Sequence, residues 1–417
     1  LDIKFIRQNP GLVKDAAQKK GVNVDIDQLL AVDERRRHVL QELEQKRAEQ
    51  NKGSTGGPKS PVELEKLKKL KEEIKILEEG IGHIEKEFDE LMLQVPQVPD
   101  VSVPEGKSDA ENKEIRSWGK IPKFDFKTQD YVELMADLDL IDVERGAKVS
   151  GFRGYFLKNE AVLLSQALWS LALEKLVKKG FVPLIAPAIA KGFNFVGTGW
   201  LPQGKDEVYK VGEDDFLIGT SEVSVMGYHA NEVLSEKDLP KKYLAFSPCF
   251  RSEAGSYGKD TKGIFRVHEF YKIEQVVICK NDHEESVRWH EEITKNSEEL
   301  AQALKLPYRV VVNCAGDLGL GQVKKYDIET WLPSQERYRE THSASYFNDF
   351  QTRRLGIRYK DIHNKIQFAH SLNNTAIATP RILANIIENY QTKKGTVKIP
   401  KVLQKYMFGI KEIKRKR

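Results

Sequence analysis

The chain has 417 residues, 40% of them hydrophobic and 31% charged, which predicts a large core and more than one domain. Its net charge of +5 is small for this length, so any nucleic-acid affinity has to come from a local basic patch. No apolar run approaches the roughly 18 residues of a membrane span, so we expect no membrane partner. Cys249, Cys279 and Cys314 lie far apart in the sequence, so we expect reduced thiols in a cytoplasmic protein.

The amino-terminal stretch RQNPGLVKDAAQKKG predicts one short helix. Asn9 is expected to cap it, Pro10 suits its first position, and Gly21 follows its end. In the charged segment that follows, apolar residues recur every three and four positions at Leu67, Leu70, Ile74, Leu77, Ile81, Ile84, Phe88 and Leu91. This heptad pattern predicts a coiled-coil helix over 62–93.

Val32, Val39 and Leu43 fit a partner helix, and the turn-rich stretch NKGSTGGPKS separates it from the first. We therefore predict an antiparallel helical hairpin over about 28–93, with a second helix roughly 48 Å long. In the outer part of the hairpin, residues 35–75, there are 12 Lys and Arg against 7 Asp and Glu. Near its base, in residues 76–93, there is 1 Lys against 6 Asp and Glu. The outer part is then either a polyanion-binding surface or simply a solvated coiled coil.

The Pro-rich and then polar stretch QVPQVPDVSVPEGKSDAENKE indicates a domain boundary, and we place the domains at 1–103 and 104–417. Beyond it, AVLLSQALWSLALEKLVKKG predicts an amphipathic helix and FVPLIAPAIA predicts a strand. The strands and helices that follow lack regular βαβ alternation. The expected fold class is α+β: a long antiparallel coiled-coil arm, then a domain built on an antiparallel β-sheet flanked by helices.

Two predicted strands, LAFSPCFR and GIFRVHEFYKIEQVVI, flank a polar loop over 254–263 and carry unusual charge for a core hairpin. Such charge is expected if the sheet is the floor of a polyphosphate site. Arg251 at a strand end can clamp a phosphate with its planar guanidinium. Glu253, two residues on along an extended chain, can accept from an amino group, and Phe270 offers a flat apolar face to a base.

Two later stretches complete the predicted site. SLNNTAIATPRILANIIENY predicts a strand and then a helix capped by Thr379, which puts Arg381 in a first turn that favours anions. YDIETWLPSQERYRETHSAS puts Glu329 on a strand, with Glu340 and Ser343 near the end of a polar loop. A carboxylate and a hydroxyl, together with phosphates, are ordinary ligands of Mg²⁺. No zinc-type spacing of Cys and His is present, so no zinc is expected.

Taken in order, these stretches resemble the class II aminoacyl-tRNA synthetases. FRSE, with the loop and strand that follow it, is similar to motif 2 of that class, and the helix with Arg381 is similar to motif 3. FVPLIAPAIA is similar to motif 1, and the proline of that motif, here Pro187, implies a homodimer interface. FLIGTSEVSV, RYRETHSAS, DFQTRRLGIRY and LNNTAIATPR resemble the seryl-tRNA synthetase family. A coiled-coil arm before the catalytic domain is that family's plan, so the resemblance covers essentially the whole chain.

The resemblance implies that ATP activates L-serine to seryl-adenylate, with Mg²⁺ as the metal of ATP, and that serine then passes to serine tRNA held by the arm. Activity on selenocysteine tRNA stays open. The residues implied to bind serine are Thr220, Ser221, Glu222, Arg251, Glu274 and Thr375. Those implied to bind ATP are Arg251, Ser252, Glu253, Val267, Phe270, Glu340, Thr341, His342, Ser343 and Arg381. Arg251 and Arg381 would be catalytic, and Glu340 and Ser343 would hold Mg²⁺.

Two positions depart from the family pattern. Ser221 stands where alanine is commoner, and Asn374 stands before Thr375 where glycine is frequent, so we expect Asn374 to tighten the pocket wall. Two alternative functions are open to a chain with these motifs. An amino acid:carrier-protein ligase should lack the arm, and a catalytically inactive RNA-binding paralogue should have lost some charged ligands. The arm and these ligands are all present, which favours the synthetase.

Overall fold

The computed structural model describes residues 1–55, 60–255, 258 and 260–415. Its helices are α1 Ile3–Gln8, α2 Pro10–Lys19, α3 Ile26–Ser54, α4 Pro61–Met92, α5 Tyr131–Asp137, α6 Val143–Ser150, α7 Glu160–Val177, α8 Gly192–Thr198, α9 Glu222–Tyr228, α10 His283–Ala303, α11 Phe350–Leu355 and α12 Thr379–Asn389. The predicted turn NKGSTGGPKS and the predicted loop 254–263 both include residues outside the described ranges.

The strands of the described residues are β1 Lys113–Trp118, β2 Ile141–Asp142, β3 Phe156–Leu157, β4 Val182–Ile185, β5 Ile189–Lys191, β6 Asp215–Leu217, β7 Val233–Ser235, β8 Lys241–Phe250, β9 Glu269–Cys279, β10 Tyr308–Val312, β11 Lys324–Leu332, β12 Arg337–Tyr346, β13 Arg358–Lys360, β14 Ile366–Phe368, β15 His370–Ala378, β16 Val397–Lys398 and β17 Glu412–Ile413. The chain divides into two compact units, Leu1–Val98 and Pro99–Arg417. The domain bounds 1–103 and 104–417 stay a prediction.

The first unit begins with two short helices, where the sequence predicted one. Helix α1 has only six residues, too few for apolar periodicity to show it. Asn9 lies between α1 and α2, and its side chain donates to the Phe5 carbonyl at 3.1 Å instead of capping α2. Buried side chains of α1 to α4 share one apolar cluster at this end: Ile6, Val13, Ile26, Leu29, Val32 and Phe88, together with Val95.

Helices α3 and α4 form the predicted antiparallel hairpin. Two ion pairs between the helices show the antiparallel direction. Arg35 pairs with Glu87 at 3.0 Å, whereas Lys46, later in α3, pairs with Glu73, earlier in α4, at 2.8 Å. All eight apolar positions predicted for the seam of the second helix are buried or half-buried. Leu43 of α3 lies in an apolar cluster with two of them. The heptad pattern therefore predicted this hairpin correctly.

The second unit is built on an eight-stranded sheet in the order β1-β10-β11-β12-β15-β9-β8-β4. Each neighbouring pair is antiparallel, except that β4 runs parallel to β8. The largest apolar cluster joins side chains of β8, β9 and β15 to those of α7, α10 and α12. The two long helices and this antiparallel-dominated sheet confirm the predicted α+β class.

Two predicted strands are shorter in the structure. FVPLIAPAIA forms β4 and β5 with Pro187 between them, because proline has no N–H to donate to a strand ladder. The predicted strand from Gly263 begins only at Glu269, and the ladder of β8 and β9 ends at Phe250 opposite Glu269. Glu253 has a φ of 55°, a left-handed conformation that turns the chain out of the extended form.

None of the helices in the described part of the chain is long and apolar enough to cross a membrane. Cys249, Cys279 and Cys314 are all buried, and none forms a disulfide.

Candidate active site

A cavity of about 500 Å³ lies in the second unit, and the described residues that line it include most of the predicted site. The predicted residues that it brings together are Thr220, Glu222, Arg251, Glu253, Val267, Phe270, Glu274, Glu340, Thr341, His342, Ser343, Thr375 and Arg381. Ser221 and Ser252 are not among the lining residues.

The charge of the β8–β9 hairpin is explained by the faces of β9. Phe270, Lys272 and Glu274 alternate along the strand and line the cavity. Side chains two apart point to the same face of a strand, while those between them point to the other. Ile273 and Val277, on the opposite face, belong to the buried apolar cluster. One strand thus serves both the core and a polar cavity.

Arg251 lies between two aromatic rings. Its guanidinium carbon is 5.4 Å from the ring centre of Trp200 and 5.6 Å from that of Phe270. Its Nε donates to the carbonyl of Gly219 at 3.2 Å. These contacts hold the guanidinium in place beside the cavity. They leave its terminal nitrogens suited to a planar anion such as a carboxylate or phosphate.

Glu253 lines the cavity although its backbone is not extended as the sequence predicted. Its Oε2 accepts from Arg266 at 2.5 Å, and this ion pair is largely buried. Asp260, in the predicted loop, accepts from Arg339 at 2.6 Å. Ser252 points elsewhere, because its hydroxyl donates to the backbone carbonyl of Asp206.

Glu340 and Ser343 lie on strand β12 and not on a polar loop. The register of β11 with β12 shifts between Ile328 and Glu329, which leaves Thr341 as an extra residue on β12. Such a bulge re-aims the side chains beside it. It lets Glu340 and Ser343, three residues apart, line the same cavity, an arrangement that a regular strand does not allow.

The Glu340 carboxylate is held ionised. Burial acts to raise its pKa, but the charges of Arg381, Lys325 and Arg251 outweigh burial and lower it to about 2. Its Oε2 lies 3.3 Å from Nη1 of Arg381, which also donates to the Glu340 backbone carbonyl at 3.1 Å. An ionised carboxylate and the Ser343 hydroxyl, which lines the same cavity, are oxygen donors that suit Mg²⁺ when ATP phosphates supply further oxygens.

The described residues contain no group of three or more His, Cys, Asp or Glu side chains that could hold a metal ion.

Thr220 and Glu222 line another part of the cavity. The Thr220 hydroxyl is buried and has no hydrogen-bond partner among the described residues. Glu222 is buried, and its Oε1 accepts from Gln351 at 2.7 Å. Burial raises the pKa of Glu222 to about 7, and the charge of Glu274 adds to that rise, while Gln351 and Lys272 oppose it. Both side chains can therefore serve a polar, positively charged ligand group.

Thr375 on β15 is the register partner of Glu274 on β9. The Thr375 hydroxyl donates to Glu274 Oε2 at 3.3 Å. A hydroxyl and a carboxylate thus meet at the cavity floor, where each can also bond a small polar ligand.

Asn374 does not form part of the cavity wall, and the expectation that it tightens the pocket is wrong. Its side chain lies 2.6 Å from Gln275 and 2.5 Å from Ser297, in a buried polar cluster. Neighbouring residues of a strand point to opposite faces, so Asn374 points away from the cavity that Thr375 lines.

Ser221 and Thr379 also differ from expectation. Ser221 is fully buried, and its hydroxyl donates to the Ala245 carbonyl at 3.4 Å. Thr379 is the first residue of α12 and not its cap, because Ala378 holds that position. Its hydroxyl accepts from the indole of Trp169 at 2.6 Å.

Several residues of the cavity region were not predicted from the sequence, and three of them contact predicted site residues. Trp200 covers Arg251, Gln351 bonds Glu222, and Lys272 contacts Glu274 at 2.5 Å. Only Lys272 had a local signal, since it lies two residues from both Phe270 and Glu274 on one strand. Trp200 and Gln351 are distant in sequence, and only folding brings them here.

Known proteins match this chain over both units. A family model described as "Seryl-tRNA synthetase N-terminal domain" matches residues 1–99, and one described as "tRNA synthetase class II core domain (G, H, P, S and T)" matches residues 208–390. A serine–tRNA ligase of Deinococcus radiodurans is 45% identical over 98% of this chain and 98% of its own length.

Two solved structures are also similar. The seryl-tRNA synthetase of Pyrococcus horikoshii complexed with ATP is 42% identical with a TM-score of 0.92, and the match covers 100% of both chains. The cytoplasmic serine–tRNA ligase of Naegleria fowleri in complex with AMP is 35% identical with a TM-score of 0.88, over 98% of this chain and 96% of that one.

Proposed function

The chain belongs to the seryl-tRNA synthetase family, and we propose that the cavity of its second unit is where it activates serine. The activity is that of a serine–tRNA ligase: ATP and L-serine give seryl-adenylate, and the serine then passes to the 3′ end of serine tRNA. One observation carries the assignment to this cavity. Arg251 lies between two aromatic rings, in a cavity that the Glu274–Thr375 pair and the Glu340–Arg381 pair also line.

The first step is the attack of the serine carboxylate on the α-phosphate of ATP. The bond that forms joins carboxylate oxygen to phosphorus, and pyrophosphate leaves with the electron pair of the bond that breaks. A carboxylate is already an adequate nucleophile, so no general base is needed. Arg251 contacts both the carboxylate and the α-phosphate, which aligns them and stabilises the charge on the phosphorus oxygens.

The amino-acid side of the cavity is assigned by hydrogen-bonding capacity. Thr220 and Glu222 hold the serine ammonium, since one offers a hydroxyl that has no hydrogen-bond partner among the described residues and the other offers a carboxylate. Glu274 and Thr375 recognise the amino and hydroxyl groups. Ser221 supports this end from behind, through its bond to the Ala245 carbonyl.

The nucleotide side is assigned to the remaining lining residues. Phe270 and Arg381 stack on the two faces of adenine, and Glu253 accepts from its amino group. Glu340 and Ser343 would hold Mg²⁺, which when bound neutralises and orients the phosphates. An ATP-dependent synthetase of this class requires a divalent metal in general, and the ionised Glu340 supports Mg²⁺ here.

The first unit is assigned to tRNA. The match of residues 1–99 to the family's N-terminal domain supports this assignment. We place tRNA binding on the hairpin α3–α4, whose outer part carries an excess of Lys and Arg. Both alternatives are disfavoured: a carrier-protein ligase lacks this arm, and an inactive paralogue has no reason to keep Arg251, Glu340 and Arg381 around one cavity.

The proposed function is tested by ATP–pyrophosphate exchange with each of the twenty amino acids. Exchange with serine alone is expected. Exchange with none of them, or a preference for another amino acid, would overturn the assignment. A charging assay with serine tRNA then tests the second step separately.

Serine binding is expected to strengthen as pH rises through about 7, because Glu222, whose pKa is raised to about 7, becomes ionised there. The carboxylate binds the serine ammonium, whereas the neutral acid does not attract it. The KM for serine should fall by up to about 10-fold between pH 6 and pH 8 at saturating ATP. Glu222→Gln should raise this KM and flatten its pH dependence, with the KM for ATP as the control. A constant wild-type KM for serine over this range would contradict the prediction.

We also propose a homodimer formed through the β4 region. Strand β4 ends the eight-stranded sheet, and Ile185 on it is 86% exposed. Exposed apolar edges of this kind favour association. Sedimentation velocity should show a dimer, and Ile185→Asp should shift it towards monomer. A fully active wild-type monomer at assay concentration would contradict the proposal.

A further inference from the structure

Lys272 lies at the amino-acid side of the cavity and contacts both residues assigned to the serine side chain. Its Nζ is 2.5 Å from Glu274 Oε2 and 3.4 Å from Thr375 Oγ1. Thr375 donates to the same carboxylate oxygen at 3.3 Å. Lys272, Glu274 and Thr375 are only 5%, 2% and 8% exposed. The three side chains therefore form a closed triangle of polar contacts with little access to water.

The chemistry of the three groups sets the direction of each hydrogen bond. An ammonium only donates, and an ionised carboxylate only accepts. The Thr375 hydroxyl accepts from Lys272 and gives its single proton to Glu274. One lone pair remains on its oxygen, and only a hydrogen-bond donor can use it.

Lys272 also balances charge in this part of the cavity. Glu222 and Glu274 are both buried, and both line it. Among the described residues, the ion pair of Glu274 is made with Lys272. Removing one partner of a buried ion pair leaves the other charge uncompensated, which is strongly unfavourable.

We propose that Lys272 is a positioning residue for amino-acid selection: it fixes Glu274 and Thr375 relative to each other and commits the Thr375 hydroxyl to accept from the substrate hydroxyl. The inference rests on the proposed serine-binding roles of Glu274 and Thr375. A substrate without a donor leaves that lone pair unpaired in a nearly dry site. Alanine is such a substrate, and cysteine offers only a weak S–H donor.

The test is ATP–pyrophosphate exchange by Lys272→Met with serine, alanine and cysteine. The kcat/KM for serine should fall by on the order of 100-fold, because Glu274 loses its buried partner. The serine-to-alanine ratio of kcat/KM should fall by at least about 10-fold, because Thr375 is free to turn. A merely structural role would lower kcat/KM for all three amino acids alike and leave their ratios unchanged, and that result would overturn the proposal.

Lys325→Met is the matched control. Lys325 also lines the cavity and pairs with a buried carboxylate, that of Asp327 at 3.1 Å, but it does not contact Glu274. Its serine-to-alanine ratio should stay at the wild-type value, whatever happens to its rate. An equal loss of the ratio in Lys325→Met would count against a specific role of Lys272.

Two further variants keep the test decisive. If circular dichroism shows that Lys272→Met does not fold, Lys272→Gln replaces it. Its amide is neutral and one atom shorter than the lysine ammonium, so the same loss of the serine-to-alanine ratio is expected. Thr375→Ala tests the assignment beneath the inference: a wild-type serine-to-alanine ratio there removes Thr375 from the serine site. A lowered ratio in Thr375→Ala, with a wild-type ratio in whichever Lys272 variant is folded, overturns only the role of Lys272.

Discussion

Arg251→Ala is expected to lower serine-dependent ATP–pyrophosphate exchange by about 10²–10³-fold while the protein stays folded. The guanidinium lies between Trp200 and Phe270 at the cavity, where it can contact the two groups that react. In the proposed mechanism it stabilises charge that develops at phosphorus, so its loss should appear mainly in kcat. Arg251→Lys keeps the charge but loses the planar fork and the stacking, and should give an intermediate rate.

Arg288→Ala is the control for this experiment. Arg288 is an exposed arginine that pairs with Glu285 and does not line the cavity. Its exchange rate should match that of the wild type. Near-normal exchange by a folded Arg251→Ala protein would remove Arg251 from the mechanism.

Replacing residues 35–87 with a short turn is expected to spare serine activation and to abolish charging of serine tRNA. The side chains of Arg35 and Glu87 form an ion pair, with Nη2 and Oε2 3.0 Å apart, so the two cut ends lie side by side on neighbouring helices. Neighbouring helix axes are about 8–10 Å apart, a gap that a short turn can close. The apolar cluster at the base of the hairpin, with Val32 and Phe88, is kept. Helical RNA is recognised mainly by its shape and backbone, and the basic outer part of the hairpin suits that role.

The two reactions are measured on the same preparation. Exchange with serine should remain within about 3-fold of wild type, whereas kcat/KM for tRNA should fall by at least about 10³-fold, as expected when several phosphate contacts are lost together. Wild-type charging should also weaken steeply with added salt. If the shortened protein charges tRNA normally, the hairpin is only structural.

The hairpin was predictable because its signal is local and repeated. In α4, each seven residues carry the same apolar pattern as the next seven, and each apolar position must be covered by the partner helix. The short helix α1 and the split of β4 from β5 were missed, since neither has enough residues to establish a period. Pro187 was a visible signal for that split, but it was interpreted only through the resemblance to motif 1.

In the candidate site, too, some features were predictable from the sequence and others depend on the folded structure. The sequence predicted that Arg251, Glu253, Glu340 and Arg381 belong to one site because each stands in a short motif whose residue types suit phosphate chemistry, and all four line the cavity. The bulge at Thr341, which brings Ser343 to the side of Glu340, is a property of the ladder between β11 and β12. The burial that raises the pKa of Glu222 to about 7 likewise depends on what packs around it.

The sequence alone determined the α+β class, the helical hairpin and the family, because apolar periodicity and ordered motifs are properties of contiguous residues. Only the tertiary structure decided which face each strand residue takes. It placed the Asn374 side chain in a buried polar cluster with Ser297, and Trp200 over Arg251. It also brought Lys272, Glu274 and Thr375 into mutual contact. Strand register and packing between distant segments set these contacts, and a one-residue shift of register exchanges the two faces of a strand.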